Sequence, residues 1–385
     1  MAASGTGRGR PAHGRAIPWS VVAVLIGLAV AAVAPALTPT LPPGVILAVV
    51  LPGLVFEAAF RTELSVLRPA AAGVLLLAIP GVVVVAAVVA VVLAATTALS
   101  PVEGFVVGAM VAATDPAAVL STFRRVRVPE RLATTVEMES LVNDGTGIVL
   151  FGLALEWIAG GDRSLGGSIG AFVLILVGST AIGLVAGWMG VLAARRIDIP
   201  VLEVALTGLL AYGSYLAATA VGQSGVIATL VAASVFGAGA RRSLTARTTD
   251  VIDQIWELVA FGLTIGVFLL VGVSIALPTL VHAAGPIAWG IVAILVARAI
   301  VVYGLLGGAS QLVRRPIPPS WLHVLFWAGL RGAVSVALAL SLPADLPNRD
   351  LLQAITFGVV LFTLLVQGTT ATWLVRRVGA STAAG

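Results

Sequence analysis

The 385-residue chain has no cysteine and no lysine, and only 10% of its residues are charged. Without cysteine it has neither disulfides nor thiolate metal ligands. With so few charged residues, 59% hydrophobic residues and a mean hydropathy of +1.10, the chain does not have enough polar residues to cover a water-soluble globule. The composition therefore predicts a protein that is embedded in a membrane.

The apolar residues fall into long runs separated by short loops. A helix needs about 20 apolar residues to cross the hydrocarbon layer. The sequence predicts an all-α polytopic membrane protein with about 12 transmembrane helices, at residues 18–37, 41–60, 69–97, 101–121, 133–157, 167–193, 200–219, 224–240, 252–277, 285–307, 321–342 and 351–374. Residues 1–17 and 375–385 are predicted to be cytoplasmic tails, and the loops leave no room for a soluble domain.

All 22 basic residues are arginine, and their positions are uneven. Only Arg163 and Arg349 lie in one set of alternate loops. Eighteen lie in the tails and the other loops: Arg8, Arg10, Arg15, Arg61, Arg68, Arg124, Arg125, Arg127, Arg131, Arg195, Arg196, Arg241, Arg242, Arg247, Arg314, Arg315, Arg376 and Arg377. This asymmetry indicates that both termini are cytoplasmic, and it explains the net charge of +5 without a nucleic-acid partner. The Arg-, Ala- and Gly-rich composition favours a bacterial plasma membrane.

Six of the ionisable residues inside the predicted spans stand out, because a charge within the membrane is costly and usually functional. A rise of about 1.5 Å per residue places four of them near the middle of the membrane. These are Asp115, Asp144, Arg298 and Arg331. Glu57 and Glu139 lie closer to the cytoplasmic side.

The stretch ESLVNDGTGIVLF, residues 139–151, carries two carboxylates inside a span. Residues four apart share a helix face, so Ser140 lies beside Asp144. A carboxylate and a hydroxyl on one face suit a dehydrated alkali cation or a proton. Glu139 points to a neighbouring face and needs a cationic partner, for which we expect Arg331.

Two spans contain residues that interrupt a helix. Asp115 precedes Pro116 in the fourth span, and two glycines flank Arg331 in the eleventh. These spans run in opposite directions, which is typical of the inverted repeats and crossed discontinuous helices of secondary transporters. Half-helix ends carry partial charges. We expect Asp115 to balance the first break and Arg298 or Arg331 to balance the second.

Several of these stretches, in this order, resemble the monovalent cation/proton antiporters of the NhaP-like, electroneutral branch. The resemblance runs from Leu41 to Leu374. It covers LPGLVFEAAF (51–60), ATDPAAVLSTFRRVRVPERLA (113–133), ESLVNDGTGIVLF (139–151), QSGVIATLVAASVFG (223–237), ARAIVVYGLL (297–306) and WAGLRGAVSVALAL (327–340). Met138 replaces a glycine that is usual in the family and Thr264 an asparagine. The long cytosolic tail of many relatives is not expected here.

The resemblance implies a dimer in which each chain has a core domain and a dimerisation domain. The core would comprise residues 69–157 and 285–374, and the dimerisation helices residues 18–60 and 200–277, linked by 167–193. The implied ion- and proton-binding residues are Asp144, Asp115, Ser140, Thr114, Asn143 and Glu57; of these, Asp144, Asp115, Ser140 and Thr114 would hold the alkali cation. Glu139, Arg331 and Arg298 would compensate charge.

The function implied by the resemblance is exchange of an alkali cation, Na+ before K+ or Li+, for a proton, without a cofactor. Relatives with two consecutive aspartates tend to be electrogenic, so Asn143 before Asp144 implies electroneutral, one-to-one exchange. Two alternatives stay open at this point. The same fold carries organic solutes or other ions in some proteins, and two intramembrane aspartates can also form a protease dyad.

Overall fold

The structure is a computed structural model that describes residues 19–33, 43–62, 71–126, 128–161, 164–197, 199–240, 244–274, 277–311 and 317–378. The predicted tail of residues 1–17 and the chain after Val378 lie outside these residues. All the regular secondary structure of the described residues is helical, because a backbone in lipid has to satisfy its hydrogen bonds internally.

The helices follow the predicted spans in order. They are α1 Trp19–Val33, α2 Pro43–Arg61, α3 Ala71–Ala78, α4 Pro80–Thr96, α5 Pro101–Ala112, α6 Ala117–Val126, α7 Glu130–Ile158, α8 Leu165–Ala194, α9 Pro200–Ala220, α10 Gly225–Ala240, α11 Ala246–Ser274, α12 Leu277–His282, α13 Ala284–Ala299, α14 Gly307–Ser310, α15 Pro319–Trp327, α16 Ala333–Leu340, α17 Arg349–Phe362 and α18 Thr369–Arg377. Two π-helical turns, Ile300–Leu306 and Thr363–Gly368, join α13 to α14 and α17 to α18. The prediction of an all-helical polytopic protein is confirmed.

Eight helical stretches among the described residues are long and apolar enough to cross a membrane. Shorter apolar helices include Pro101–Ala112 and Gly225–Ala240. The fourth and eleventh predicted spans are each split in two, α5 with α6 and α15 with α16. Both interruptions fall where the sequence predicts them, at residues 113–116 and 328–332.

The start of α5 is fixed by a capping box and by a second helix. Ser100 caps the helix, its side chain accepting a hydrogen bond from the Glu103 amide at 3.3 Å, while the Ser100 amide donates to Glu103 Oε2 at 2.7 Å. Asn348, immediately before α17, donates from Nδ2 to Glu103 Oε1 at 2.7 Å. Glu103 is buried and links the N-terminal ends of α5 and α17.

The helices pack in two groups. In one group α5 packs on α4 and α7, while α13 packs on α4 and α17. In the other, α1 packs on α11, and α10 packs on α2 and α8. The division into core and dimerisation helices stays a prediction. The groups meet where α2 and α11 contact α16, beside the two interrupted helices.

Candidate ion-binding site

The two interruptions contact each other directly. At residues 113–116 the chain is extended, with Ala113 at φ −60° and ψ 133°. The amide of Asp115 donates to the carbonyl oxygen of Leu330, in the second interruption, at 2.7 Å. A backbone group that the first break releases is therefore satisfied by the second.

Arg331 compensates the end of the other interrupted helix. It is 1% exposed, and its guanidinium donates to the carbonyl oxygens of Ala112 and, at 3.1 Å, of Ala113. Those carbonyls terminate α5, where the helix dipole is negative. Its own amide donates to Thr363 Oγ1 at 3.1 Å. Arg331 thus balances the first break.

Glu139 pairs with Arg298, and the predicted pair of Glu139 with Arg331 is wrong. The Arg298 guanidinium binds both carboxylate oxygens of Glu139, with Nη2 at 3.1 Å from Oε2. The same Nη2 donates to the carbonyl oxygen of Leu325 at 2.8 Å, near the end of α15. Arg298 therefore balances the second break. Arg331 is not free for Glu139, because it is committed to the α5 carbonyls.

Asp115 stands against the second break and not the first. A Cβ added at Gly332, which precedes α16, would overlap the Asp115 side chain, with Cγ only 2.6 Å away. This carboxylate thus lies at the positive N-terminal end of α16. The expected roles of Asp115 and Arg331 are exchanged, because the chains cross and each charge reaches across to the opposite helix. Only glycine leaves room for that approach.

A buried polar cluster holds Thr114 in place. Asn143 accepts from the Thr114 amide at 3.2 Å and donates from Nδ2 to Thr114 Oγ1 at 2.8 Å. Thr114 Oγ1 and Ser140 Oγ are 2.8 Å apart. Asn143 is 2% exposed and lies behind Thr114. The amide thus orients the threonine, and the two hydroxyls keep lone pairs for a further ligand.

Asp144 faces a cavity of about 420 Å³ between the two helix groups. Five of the six predicted binding residues line it: Asp144, Asp115, Ser140, Thr114 and Glu57. Asp144 Oδ1 is buried and has no hydrogen-bond partner among the described residues. A buried carboxylate oxygen without a partner is costly, so a ligand at this position, a cation or a proton, would stabilise it. In the described chain, no three His, Cys, Asp or Glu residues form a metal-binding group.

The far end of the cavity carries charges that the sequence reasoning did not single out. Glu137, Glu257 and Arg61 line it together with Glu57. A signal for Glu137 was available, because residues 137, 140 and 144 lie on one helix face. Thr264, noted for its departure from the family, also lines the cavity, two turns of α11 beyond Glu257.

Two interrupted helices that meet at their breaks, with buried charges that compensate the helix ends, are characteristic of secondary transporters. The sequence model of the family described as "Sodium/hydrogen exchanger, transmembrane" matches residues 3–377. The chain therefore belongs to the sodium/hydrogen exchanger family. This membership also answers the alternative of an intramembrane protease.

Curated relatives agree over most of the chain. The chain is 39% identical to the Na(+)/H(+) antiporter ApNhaP of Aphanothece halophytica, over 95% of this chain and 70% of that protein. It is 35% identical to the Na(+)/H(+) antiporter NhaP of Pseudomonas aeruginosa, over 85% of this chain and 80% of that protein. The bacterial relatives and the apolar helices place the chain among multi-pass membrane proteins.

The fold is also found in a solved structure. The sodium proton antiporter MjNhaP1 from Methanocaldococcus jannaschii superposes with a TM-score of 0.72, covering 94% of this chain and 97% of that one. At 22% identity the likeness concerns the fold alone. It confirms the predicted NhaP-like antiporter fold.

Proposed function

We propose that this chain exchanges Na+ for H+ across the plasma membrane by alternating access, with Asp144 as the carboxylate that both ions occupy in turn. The observation that carries the proposal is the partnerless, buried Asp144 Oδ1 at the inner end of an open cavity. The family and the Na(+)/H(+) antiporters among its relatives support the choice of ions.

The cation would be held by oxygens from both elements that meet at the crossing. Asp144 and Ser140 come from α7, and Thr114 and Asp115 come from the extended segment after α5. A dehydrated alkali ion prefers such hard oxygen ligands. The positive end of α16 tempers the charge of Asp115. Binding is then weak enough for the ion to leave, which transport requires.

We propose electroneutral, one-to-one exchange, which the amide at position 143 supports. Asn143 stays neutral, and its amide both accepts from and donates to Thr114. Positions 143 and 144 of α7 therefore carry one carboxylate, that of Asp144, and not two consecutive ones. If Asp144 releases one proton for each Na+ that it binds, a cycle moves no net charge.

The cavity would open to the cytoplasm. Arg61, at its far end, belongs to the arginines on the side that the positive-inside rule assigns to the cytoplasm. With this orientation both termini are cytoplasmic. The conformation is then inward-facing, and transport requires the two helix groups to move relative to each other.

We further propose a homodimer through the helices outside the core. Helix α8 displays a broad apolar surface, with Leu174, Val177 and Trp188 each at least 60% exposed. Lipid covers such a surface in a monomer. A second copy of the chain that covers part of it would hold one helix group still while the core moves.

An organic-solute carrier is the second candidate, because a cavity of about 420 Å³ would admit a small solute. The residues nearest Asp144 do not favour it. They are an aspartate and two hydroxyls. The described residues provide no free cationic group beside them to bind an anion, because Arg331 is committed to carbonyls and Arg298 to Glu139 and a carbonyl.

Proteoliposomes with a preset pH gradient test the proposed function. We expect Na+ to discharge the gradient at the same rate whether the membrane potential is clamped or free, and K+ and Li+ arms to define selectivity. Choline is the control cation, since carboxylate and hydroxyl oxygens cannot coordinate its quaternary ammonium as they coordinate a dehydrated alkali ion. If no alkali cation discharges the gradient, exchange is not the function of this chain. A rate that changes with the clamp contradicts one-to-one exchange.

A further inference from the structure

Arg61, the last residue of α2, joins the two helices that form one wall of the cavity mouth. Its guanidinium forms an ion pair with Glu57 Oε1 at 2.7 Å, within α2. It also donates to Glu257 Oε2 at 3.0 Å and to the carbonyl oxygen of Asp253 at 2.9 Å, both in α11. Arg61 therefore contacts α2 and α11 at once.

Among the described residues at this mouth, carboxylates outnumber guanidinium groups. Glu57, Glu137 and Glu257 line the cavity, and the Asp253 carboxylate lies 3.8 Å from Arg61. Among the residues that the structure describes, Arg61 contributes the one guanidinium of this lining, and it pairs with the carboxylates of Glu57, Asp253 and Glu257. A cleft with excess charge of one sign concentrates ions of the other sign, so this end of the cavity attracts cations.

The guanidinium occupies oxygens that an entering cation would need. Arginine is always charged and binds carboxylates through a planar fork, so it does not leave Glu57 by losing a proton. It can leave by moving to another carboxylate. Glu257 offers such a place, because its side chain is 68% exposed, whereas that of Glu57 is 18% exposed and lies deeper.

We propose that Arg61 is a positioning residue for cation entry. Its guanidinium competes with the transported cation for Glu57, and its ion pair with Glu257 holds it away from Glu57 when the transported cation enters. The proposal rests on the proposed function above. An entering Na+ binds at Glu57 while Arg61 stays on α11, held by Glu257 and the Asp253 carbonyl. The ion then proceeds to Asp144, and Arg61 returns to Glu57.

This arrangement predicts opposite effects for two neutral substitutions within one ion pair. Arg61→Gln removes the competitor, so the KM for Na+ at this face should fall about three- to tenfold. Glu257→Gln leaves Arg61 on Glu57, so the KM should rise about two- to fivefold. Arg61→Lys keeps the charge, and its KM should stay closer to that of the wild type. Inverted membrane vesicles expose this face to the medium and give KM separately from the maximal rate.

If the ion pairs of Arg61 only stabilise the contact between α2 and α11, both substitutions should shift the KM for Na+ in the same direction. That result would overturn the proposal, and so would two unchanged KM values. Wild-type vesicles without Na+-dependent proton movement would instead overturn the proposed function, leaving the mouth to be tested by labelling.

Labelling does not depend on transport. Because the chain has no cysteine, Thr264→Cys provides a single thiol inside the cavity. A quaternary-ammonium methanethiosulfonate and a neutral methanethiosulfonate of similar size are compared by their labelling rates. Relative to the neutral reagent, the cationic one should react about threefold or more faster in the Arg61→Gln background and more slowly in the Glu257→Gln background. The second background decides the question if Arg61→Gln does not fold, and an unchanged ratio there contradicts the proposal.

Discussion

Asp144→Asn is expected to reduce Na+-dependent proton movement by at least about a hundredfold, to the level of liposomes without protein. Asparagine keeps the size of the side chain but carries no charge and cannot take up a proton. The partnerless Oδ1 would become an amide atom that neither attracts Na+ nor exchanges it for H+. The rate at which a preset pH gradient collapses on addition of Na+ measures the effect.

The matched control is Asp345→Asn, the same chemical change at an exposed position in the loop after α16. This variant should transport like the wild type, because Asp345 does not line the cavity. Folding of both variants is checked by their thermal melting in detergent. A folded Asp144→Asn protein that exchanges Na+ at more than a tenth of the wild-type rate would show that another group carries the proton.

Glu139→Gln is expected to lower the free energy of unfolding by about 3–5 kcal/mol, the usual cost of leaving one partner of a buried ion pair uncompensated. Glu139 is 2% exposed and Arg298 is 6% exposed, so solvent cannot replace the lost carboxylate. Denaturant titration of the purified protein in detergent micelles measures the loss.

The double variant Glu139→Gln with Arg298→Gln should recover part of that stability, since no buried charge is then left without a partner, although the bond from Arg298 to the Leu325 carbonyl is also lost. The control is Glu139→Gln with Arg331→Gln. It should be less stable than either single variant, because Arg331 supports the α5 carbonyls and not Glu139. Recovery in the second double variant but not in the first would restore the pairing that the sequence suggested.

The span pattern was predictable because it depends on composition and local chemistry. Runs of about 20 apolar residues have few alternatives in a membrane protein. The breaks were equally local, since Pro116 and the glycines around Arg331 interrupt a helix wherever they occur. The candidates Asp144, Asp115 and Ser140 likewise followed from intramembrane polarity and helix spacing, whereas Thr114 was implied by the family resemblance. The structure brings all four to one cavity.

The pairing of the charges was not predictable in the same way. Depth along a helix placed both Arg298 and Arg331 within reach of Glu139, but the choice depends on how the two interrupted segments cross in three dimensions. The π-helical turn Thr363–Gly368 is a related case, because it brings Thr363 Oγ1 to the Arg331 amide without any proline or glycine pattern that marks it. The charged mouth around Arg61 also depends on contacts between distant helices.

The central claim, that Na+ and one proton compete for Asp144, is tested most directly by measuring the KM for Na+ across a range of pH in proteoliposomes. Protonated Asp144 cannot serve as an anionic ligand. Competition by a single proton therefore predicts that KM rises as the pH falls, with a slope that approaches about tenfold per pH unit. The maximal rate should stay constant. A KM that does not change with pH, with a maximal rate that falls instead, would contradict the claim and place the proton on a different group from the cation.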